Sequence, residues 1–530
     1  MNSPSSPQWK RSLRKFLAGV VVALACFFLY SPGGFWGNAE HFPTPVHAGF
    51  FNDDLELFEE VLTLVSERYV YAPDYKKIFS SSIEEMLSTA GLENLIFENT
   101  GSEQAIIKGA HKVSYHLDAN RSHDLRAFKE VYYFLANEFK GSLNKKELEI
   151  AGVTGMMKGL DPFSQYLDKD LFKKSMRDTE GRYGGLGMVI TLKDLQLTVV
   201  RTMKNSPAHR ARILPDDVIT RIDGRATKGL QIDELASLLR GLPRTRVTLT
   251  LFRPGTGEEK TYTLTRQIVA VETVSYKPLG RTGYIKITSF SKQTNKQLKR
   301  ALREGLLDGV KSFILDLRDN PGGLLDQSVQ VASQFLMRGQ LVVYTQGRGK
   351  DDRREYKAIY RKNFNRYPVI VLVNQHSASA AEIVAGALRD SGRALIVGEK
   401  SYGKGTVQTI FRVRDGSGLR LTTSKYYTPS GIDITRKKIV PEIRIVDDVL
   451  HQTGDSFLAE VDSPHKLFYE TSISLKKSDV EKFLRERGET VDRENDPTVL
   501  FARMILQDST HANKSYALAK ARELAANILY

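Results

Sequence analysis

The run VIVLVNQHSASAAEIVAGALRDSGRALIVGEKSYGKGTVQ, residues 369–408, sets the architecture of the chain around it. VIVLVN is apolar without interruption, the pattern of a strand buried on both faces. EIVAGALRDSG has helical spacing, ALIVGE is a second apolar strand, and VQTIFRV reads as a third. Strand, helix, strand predicts an α/β layer whose chemistry sits on loops at the strand ends. Two such loops carry reactive side chains. Ser379 lies at the strand-to-helix turn, and Lys404, between Gly403 and Gly405, lies at a strand-to-strand turn.

Ser379 alone reads as a helix cap, a common use of serine. The first N–H groups of a helix have no intrahelical partner, so the N–H of Ala380 can stabilise an oxyanion formed at Ser379. A second donor is expected from the Gly322-Gly323 loop after a neighbouring strand, where glycine permits close backbone approach. Lys404 shifts the balance towards catalysis. A lysine base must be neutral, and bringing its pKa from ~10.4 to ~7–8 takes roughly 3–5 kcal/mol of differential environment. Burial between apolar strands supplies that sign of shift. Gln408, in the next strand, is a candidate to orient the amine.

Three rival chemistries use the same region. Gly398 to Lys404 fits most of a phosphate loop, but Gly405 stands where a hydroxyl belongs, and a strand follows where a helix is required. His376 is near Ser379, but no G-x-S-x-G elbow surrounds the serine. The ten histidines are scattered without metal-ligand spacing, so no metal and no cofactor is expected.

The 530-residue chain argues for several domains, and its net charge of +15 favours acidic neighbours without naming one. The basic, aromatic segment 348–366 is interrupted by acidic residues and bridges strands, so a solvated loop or hairpin is preferred over nucleic-acid binding. The single cysteine, Cys26, excludes disulfides and cysteine-based chemistry downstream. Lys10, Arg11, Arg14 and Lys15 precede an apolar run over 16–30, the pattern of an export signal. Cleavage after Ala39 or Ala48, or retention as an uncleaved anchor, both fit. Either way the bulk of the chain is expected outside the cytoplasm.

Residues 49–177 read as helical, with a polar, irregular insertion over about 92–145. Residues 178–268 contain short strands, one clear helix and the loop Gly185-Leu186-Gly187-Met188. Their order resembles a PDZ domain, a family in which that loop's N–H groups hold a peptide's terminal carboxylate while the peptide adds a strand. Residues 269–447 alternate strand and helix, with LVVYT and VIVLVN both expected in a largely parallel sheet. Residues 448–530 read as a helical accessory or oligomerisation element, Val499, Leu500, Ala502, Ile505 and Leu506 forming its apolar face.

LDPFSQYL (160–167), the Gly-Leu-Gly loop, LDLRDNPGG (315–323), NQHSASAAEI…GKGTVQ (374–408) and YYTPSGIDI…IVPEIRI (426–445) follow one another in this order. The chain resembles the carboxyl-terminal processing peptidases, or tail-specific proteases, with a serine–lysine site. The resemblance implies an α/β multidomain protein, a crotonase/ClpP-like ββα protease core with an inserted PDZ domain and helical terminal regions. It implies Ser379 as nucleophile, Lys404 as base, Gln408 as the lysine's partner, and Ala380 with the Gly322-Gly323 loop as oxyanion donors. Polypeptides with exposed apolar C-termini are the implied substrates, met in a bacterial periplasm. An adaptor or regulatory protein, a second copy of the chain, and the inner membrane through an uncleaved N-terminus are further expected partners. The insertion at 92–145, and Ala381 where the family commonly has serine, depart from the pattern. The competing function is a catalytically silent PDZ scaffold that binds C-termini, against which stands the presence of serine, lysine and glutamine together.

Overall fold

The computed structural model describes residues 54–100, 103–361, 363–447, 472–492, 495–507 and 514–529. The expected export signal and Cys26 lie outside the described residues. Among the described residues, no helix is long and apolar enough to cross a membrane.

A seven-stranded sheet forms the centre. Its order is Val274–Leu279, Thr282–Ile287, Ser312–Asp316, Val369–Val373, Leu395–Gly398, Ile443–Val446 and Ile473–Lys476. The first two strands form an antiparallel hairpin, and every later neighbour is parallel. Val369–Val373 is buried throughout, as its unbroken apolar run requires. Its odd residues, Val369, Val371 and Val373, pack into one core, and Ile370 and Leu372 into another. This period of two fills both faces, each such side chain contributing roughly 1.5–3 kcal/mol by burial.

On the first face lie the helices Thr294–Leu307, Leu325–Ala332 and Ala380–Asp390, together with a second sheet. That sheet is antiparallel, in the order Arg353–Lys357, Leu341–Gln346, Gly418–Tyr427, Thr406–Arg412, with Gln165–Leu167 also paired to Gly418–Tyr427. LVVYT therefore leaves the parallel sheet in which it was expected. A short apolar run specifies a buried strand but not its partner. The basic segment after it forms a hairpin with it, and strand Arg353–Lys357 is largely exposed.

The second face is covered by helices Lys477–Glu486, Pro497–Gln507 and Lys514–Leu529. Val499, Leu500, Ala502, Ile505 and Leu506 are buried there against Ile314, Ile370 and Leu372. The apolar face expected to serve oligomerisation is thus a layer of the core, and strand Ile473–Lys476 carries the sheet past residue 447.

Helices Glu56–Arg68, Tyr75–Ala90, Arg121–Glu138 and Lys145–Leu160 pack around Phe58, Phe79 and Phe128, the rings of Phe58 and Phe128 stacking at 3.9 Å. The same core takes in Val413, Leu419 and Leu421 from the antiparallel sheet. Within the stretch at about 92–145, read as polar and irregular but with a helical patch around Phe128–Phe139, the patch lies in helix Arg121–Glu138, while residues before it form a three-stranded antiparallel sheet, Ile96–Thr100, Glu103–Lys108 and His111–Tyr115. Its strands are too polar and too exposed to show an apolar period.

Residues 188–265 form a small domain around Leu197, Val199, Ile219, Leu235, Leu249 and Leu251. Its strands run Met188–Lys193, Gln196–Thr202, Val218–Ile222, Arg246–Arg253 and Glu258–Thr265, with helix Ile232–Leu239 against them. Asp223 and Gly224, both with positive φ, close a tight hairpin onto Arg225–Ala226. A ribbon of Arg182–Gly185 with Gln267–Ala270 joins this domain to the rest of the chain.

Candidate active site

Helix Ala380–Asp390 starts directly beyond strand Val369–Val373, and Ser379 is its first flanking residue. Its backbone has φ 55° and ψ −116°, a conformation that costs a non-glycine residue on the order of 1–3 kcal/mol. Glu382 holds it there. The buried Glu382 carboxylate accepts the Ser379 N–H at 2.8 Å on Oε2. The same oxygen accepts the Lys404 N–H at 2.9 Å, while Oε1 accepts the Gly403 N–H at 2.7 Å and the Ser401 hydroxyl at 2.5 Å. The Ser379 turn and the Lys404 loop therefore hang from one carboxylate. Burial raises the Glu382 pKa, and these four donors oppose that rise.

The Lys404 amine is held below its usual pKa by burial first and by the like charge of Arg420 second, while Asp161 and Glu382 pull the other way. Its Nζ stands 5.0 Å from the centre of the Phe163 ring. Phe163 and Asp161 belong to LDPFSQYL, in which Asp161 accepts the N–H groups of Phe163 and Ser164 and the hydroxyls of Ser164 and Thr422. No hydrogen bond joins Lys404 Nζ to Ser379 Oγ among the described residues. Gln408 is not on the lysine either: its amide donates to Thr406 at 2.9 Å and to Thr422 at 3.4 Å. Thr406 and Gln408, two apart in one strand, share a face, whereas Lys404 precedes the strand and escapes that alternation.

The glycine loop presses on Ser379. A Cβ on Gly322, whose φ is +99°, would stand 2.7 Å from Ser379 Cβ and 3.0 Å from the Ala380 nitrogen. The Gly322 N–H, however, donates to Asn320 Oδ1 at 2.8 Å, which takes it out of use as an oxyanion donor. The N–H groups of Gly323 and Ala380 have no acceptor among the described residues. The loop is laced to the Ser379 turn: Ala378 N–H to Asn320 O, Ser377 Oγ to Leu317 O, and Asp319 N–H to Asn374 Oδ1. Arg318 anchors it from behind, bonded to both Asp316 and Asp496. His376 is exposed, which removes the support for a serine–histidine arrangement. No group of side chains suited to a metal ion occurs among the described residues.

In the small domain, Gly185 ends its strand, Leu186 is buried in the core, Gly187 has φ +70° and Met188 starts the next strand. The Leu186 carbonyl accepts from Ala208 N–H, and the Gly187 carbonyl from Met203 N–H and Ser206 Oγ. In a trans peptide the following N–H points the opposite way, so the Gly187 N–H is turned from Ala208. A side chain at Gly187 would overlap Ser206.

Sequence reasoning quotes the motifs containing Glu382, Asp161 and Phe163 but assigns them no role. A glutamate three residues after a cap signals a capping box, which is half of what Glu382 does.

The fold of an α/β core carrying a serine turn and a half-buried lysine, with a small domain inserted ahead of it, defines a serine-type peptidase with a PDZ domain. Peptidase family S41 matches residues 281–445, and a PDZ domain matches 198–253. The carboxy-terminal-processing protease of Bartonella bacilliformis is 36% identical over 343 residues, 64% of this chain and 79% of that one. A "probable CtpA-like serine protease" of Staphylococcus aureus is 39% identical over 328 residues, 61% of this chain and 65% of that one. The solved photosystem II D1 C-terminal processing protease is 26% identical, with 74% of this chain and 93% of that one covered at a TM-score of 0.39. The chain belongs to the carboxy-terminal-processing proteases of peptidase family S41.

Proposed function

We propose that the chain is an exported endopeptidase that cleaves polypeptides at or near their C-termini, with Ser379 as nucleophile and Lys404 as general base on a crotonase/ClpP-like core. The observation that carries it is the shared carboxylate: Glu382 ties the backbones of Ser379 and Lys404 together, while burial depresses the lysine's pKa. Lys404 takes the Ser379 proton, the serine oxygen attacks the carbonyl, and the N–H groups of Ala380 and Gly323 hold the oxyanion. The peptide C–N bond then breaks, the Lys404 ammonium giving its proton to the departing amine, and water releases the acyl group with the neutral Lys404 again as base. For this the amine, now 5.0 Å from the centre of the Phe163 ring, must come into hydrogen-bond reach of Ser379 Oγ. Occupation of the PDZ loop by a substrate's terminal carboxylate is the event we assign to that step. Gln408 then partners the amine only in the assembled state. The bulk of the chain works in the bacterial envelope, held at the inner membrane if its N-terminus is uncleaved, with an adaptor or a second copy as further partners.

The test is mass spectrometry of products from unfolded substrates that differ only in their last residues. Free apolar C-termini are expected to be cut fastest, and amidation of the terminal carboxylate is expected to slow cleavage about tenfold or more, the scale of one lost charge-assisted contact. Cleavage indifferent to the terminus removes tail recognition. Binding without cleavage favours the scaffold.

The lysine's environment gives a second expectation. Arg420→Gln removes a like charge, so the Lys404 pKa rises. Activity requires the neutral amine and increases with pH through that pKa. The acidic limb of the kcat/KM profile should therefore move to higher pH in the variant, and a limb that stays in place or moves down counts against Lys404 as base.

A further inference from the structure

We propose that the Tyr426 hydroxyl is a further catalytic group, donating a hydrogen bond to the Ser379 oxygen whenever that oxygen carries negative charge. This rests on Ser379 being the nucleophile. Tyr426 is the penultimate residue of the long strand Gly418–Tyr427, and its own N–H donates to the Gly405 carbonyl at 3.0 Å, directly beyond Lys404. The side chain is 1% exposed and belongs to the core beneath helix Ala380–Asp390, together with Ala380 and Ala381. At the end of this apolar ring sits a buried hydroxyl with no hydrogen-bond partner of ordinary geometry among the described residues. Phenylalanine would fill the same space without leaving a polar atom unpaired, so core packing alone does not account for tyrosine. The groups that act on the hydroxyl include the Ser379 hydroxyl and the Glu382 carboxylate, and Glu382 already has four donors. Of the two, Ser379 is left to receive the bond.

Burial, reinforced by the Glu382 charge, keeps the phenol protonated well above its usual pKa, so it remains a donor at any working pH. It transfers no proton. In acylation the Ser379 proton goes to Lys404 as the bond from Oγ to the carbonyl carbon forms, and the Lys404 ammonium passes it to the amine nitrogen as the peptide C–N bond breaks. In deacylation Lys404 takes a proton from the water that attacks the acyl carbon, the bond from that carbon to Oγ breaks with its electron pair staying on Oγ, and the Lys404 ammonium gives the proton to Oγ. In both steps charge passes through Oγ, and a donor in a dry site stabilises it.

Tyr426→Phe removes only the hydroxyl. We expect kcat to fall ~10- to 100-fold with KM unchanged. Sulfonylation of Ser379 by a sulfonyl fluoride, in which Oγ displaces fluoride from sulfur, should slow in proportion, while the thermal midpoint stays equal or rises. A kcat within twofold of the parent, or a loss of activity that tracks a lowered thermal midpoint, overturns the inference. Ser379→Ala is measured alongside. If it keeps its activity, the nucleophile assignment fails. If it is inactive while Tyr426→Phe is fully active, only the role of the phenol fails.

Discussion

Ser379→Ala and Lys404→Ala each lose peptide hydrolysis by ~10⁴-fold or more, the scale seen when a nucleophile or its base is removed from a serine hydrolase. Neither loss should come from unfolding. Both residues are bound to Glu382 through backbone N–H groups, which alanine retains, so the clasp between the two loops survives either change. The Ser379 side chain is small, and the strain at its backbone is common to serine and alanine. Lys404→Ala also removes a half-buried amine whose charged form is disfavoured by desolvation, so its denaturation midpoint should equal or exceed that of the parent. Loss of turnover with retained or raised stability separates a catalytic lysine from a structural one. Full activity in Lys404→Ala would sink the mechanism.

Glu382→Ala should damage both activity and stability. Four donors converge on this carboxylate: three backbone N–H groups and the Ser401 hydroxyl. Each buried donor left without an acceptor costs roughly 1–3 kcal/mol, partly offset because the desolvation of the carboxylate is relieved. A net destabilisation on the order of 3 kcal/mol follows, together with release of the Ser379 turn from its strained backbone. Chemical denaturation followed by circular dichroism, and kcat measured well below the transition, read the two effects separately. Glutamine is a poor substitute, because its amide nitrogen would face two of the four donors with donors of its own. Glu382→Gln with parental activity would show that the clasp is dispensable.

The elements that carry Ser379 and Lys404 are legible in the sequence because their signals are local. Unbroken apolar runs mark strands Val369–Val373 and Leu395–Gly398, and the small-residue turn between VIVLVN and EIVAGAL marks the start of a helix. The glycine loop of the PDZ domain is legible for the same reason. The surroundings of the site are not local. Phe163 and Asp161 reach Lys404 from the N-terminal helical region, and no spacing rule links them to it. Gly322 and Gly323 look interchangeable in sequence, and only the bond from Gly322 N–H to Asn320 separates them. Gln408 follows Lys404 closely in the chain, but the turn before Thr406 breaks the alternation that proximity suggests. The partner of Leu341–Gln346 and the destination of the helix Pro497–Gln507 are questions of assembly, to which a hydrophobic pattern has no answer.

Arg318, in the loop that presses on Ser379, is clamped by Asp496 at the start of helix Pro497–Gln507. A chain emerging from the ribosome thus exposes its serine and its lysine well before it exposes the residue that braces their glycine loop. The last of the braces on that loop is therefore added only once the segment carrying Asp496 has been made.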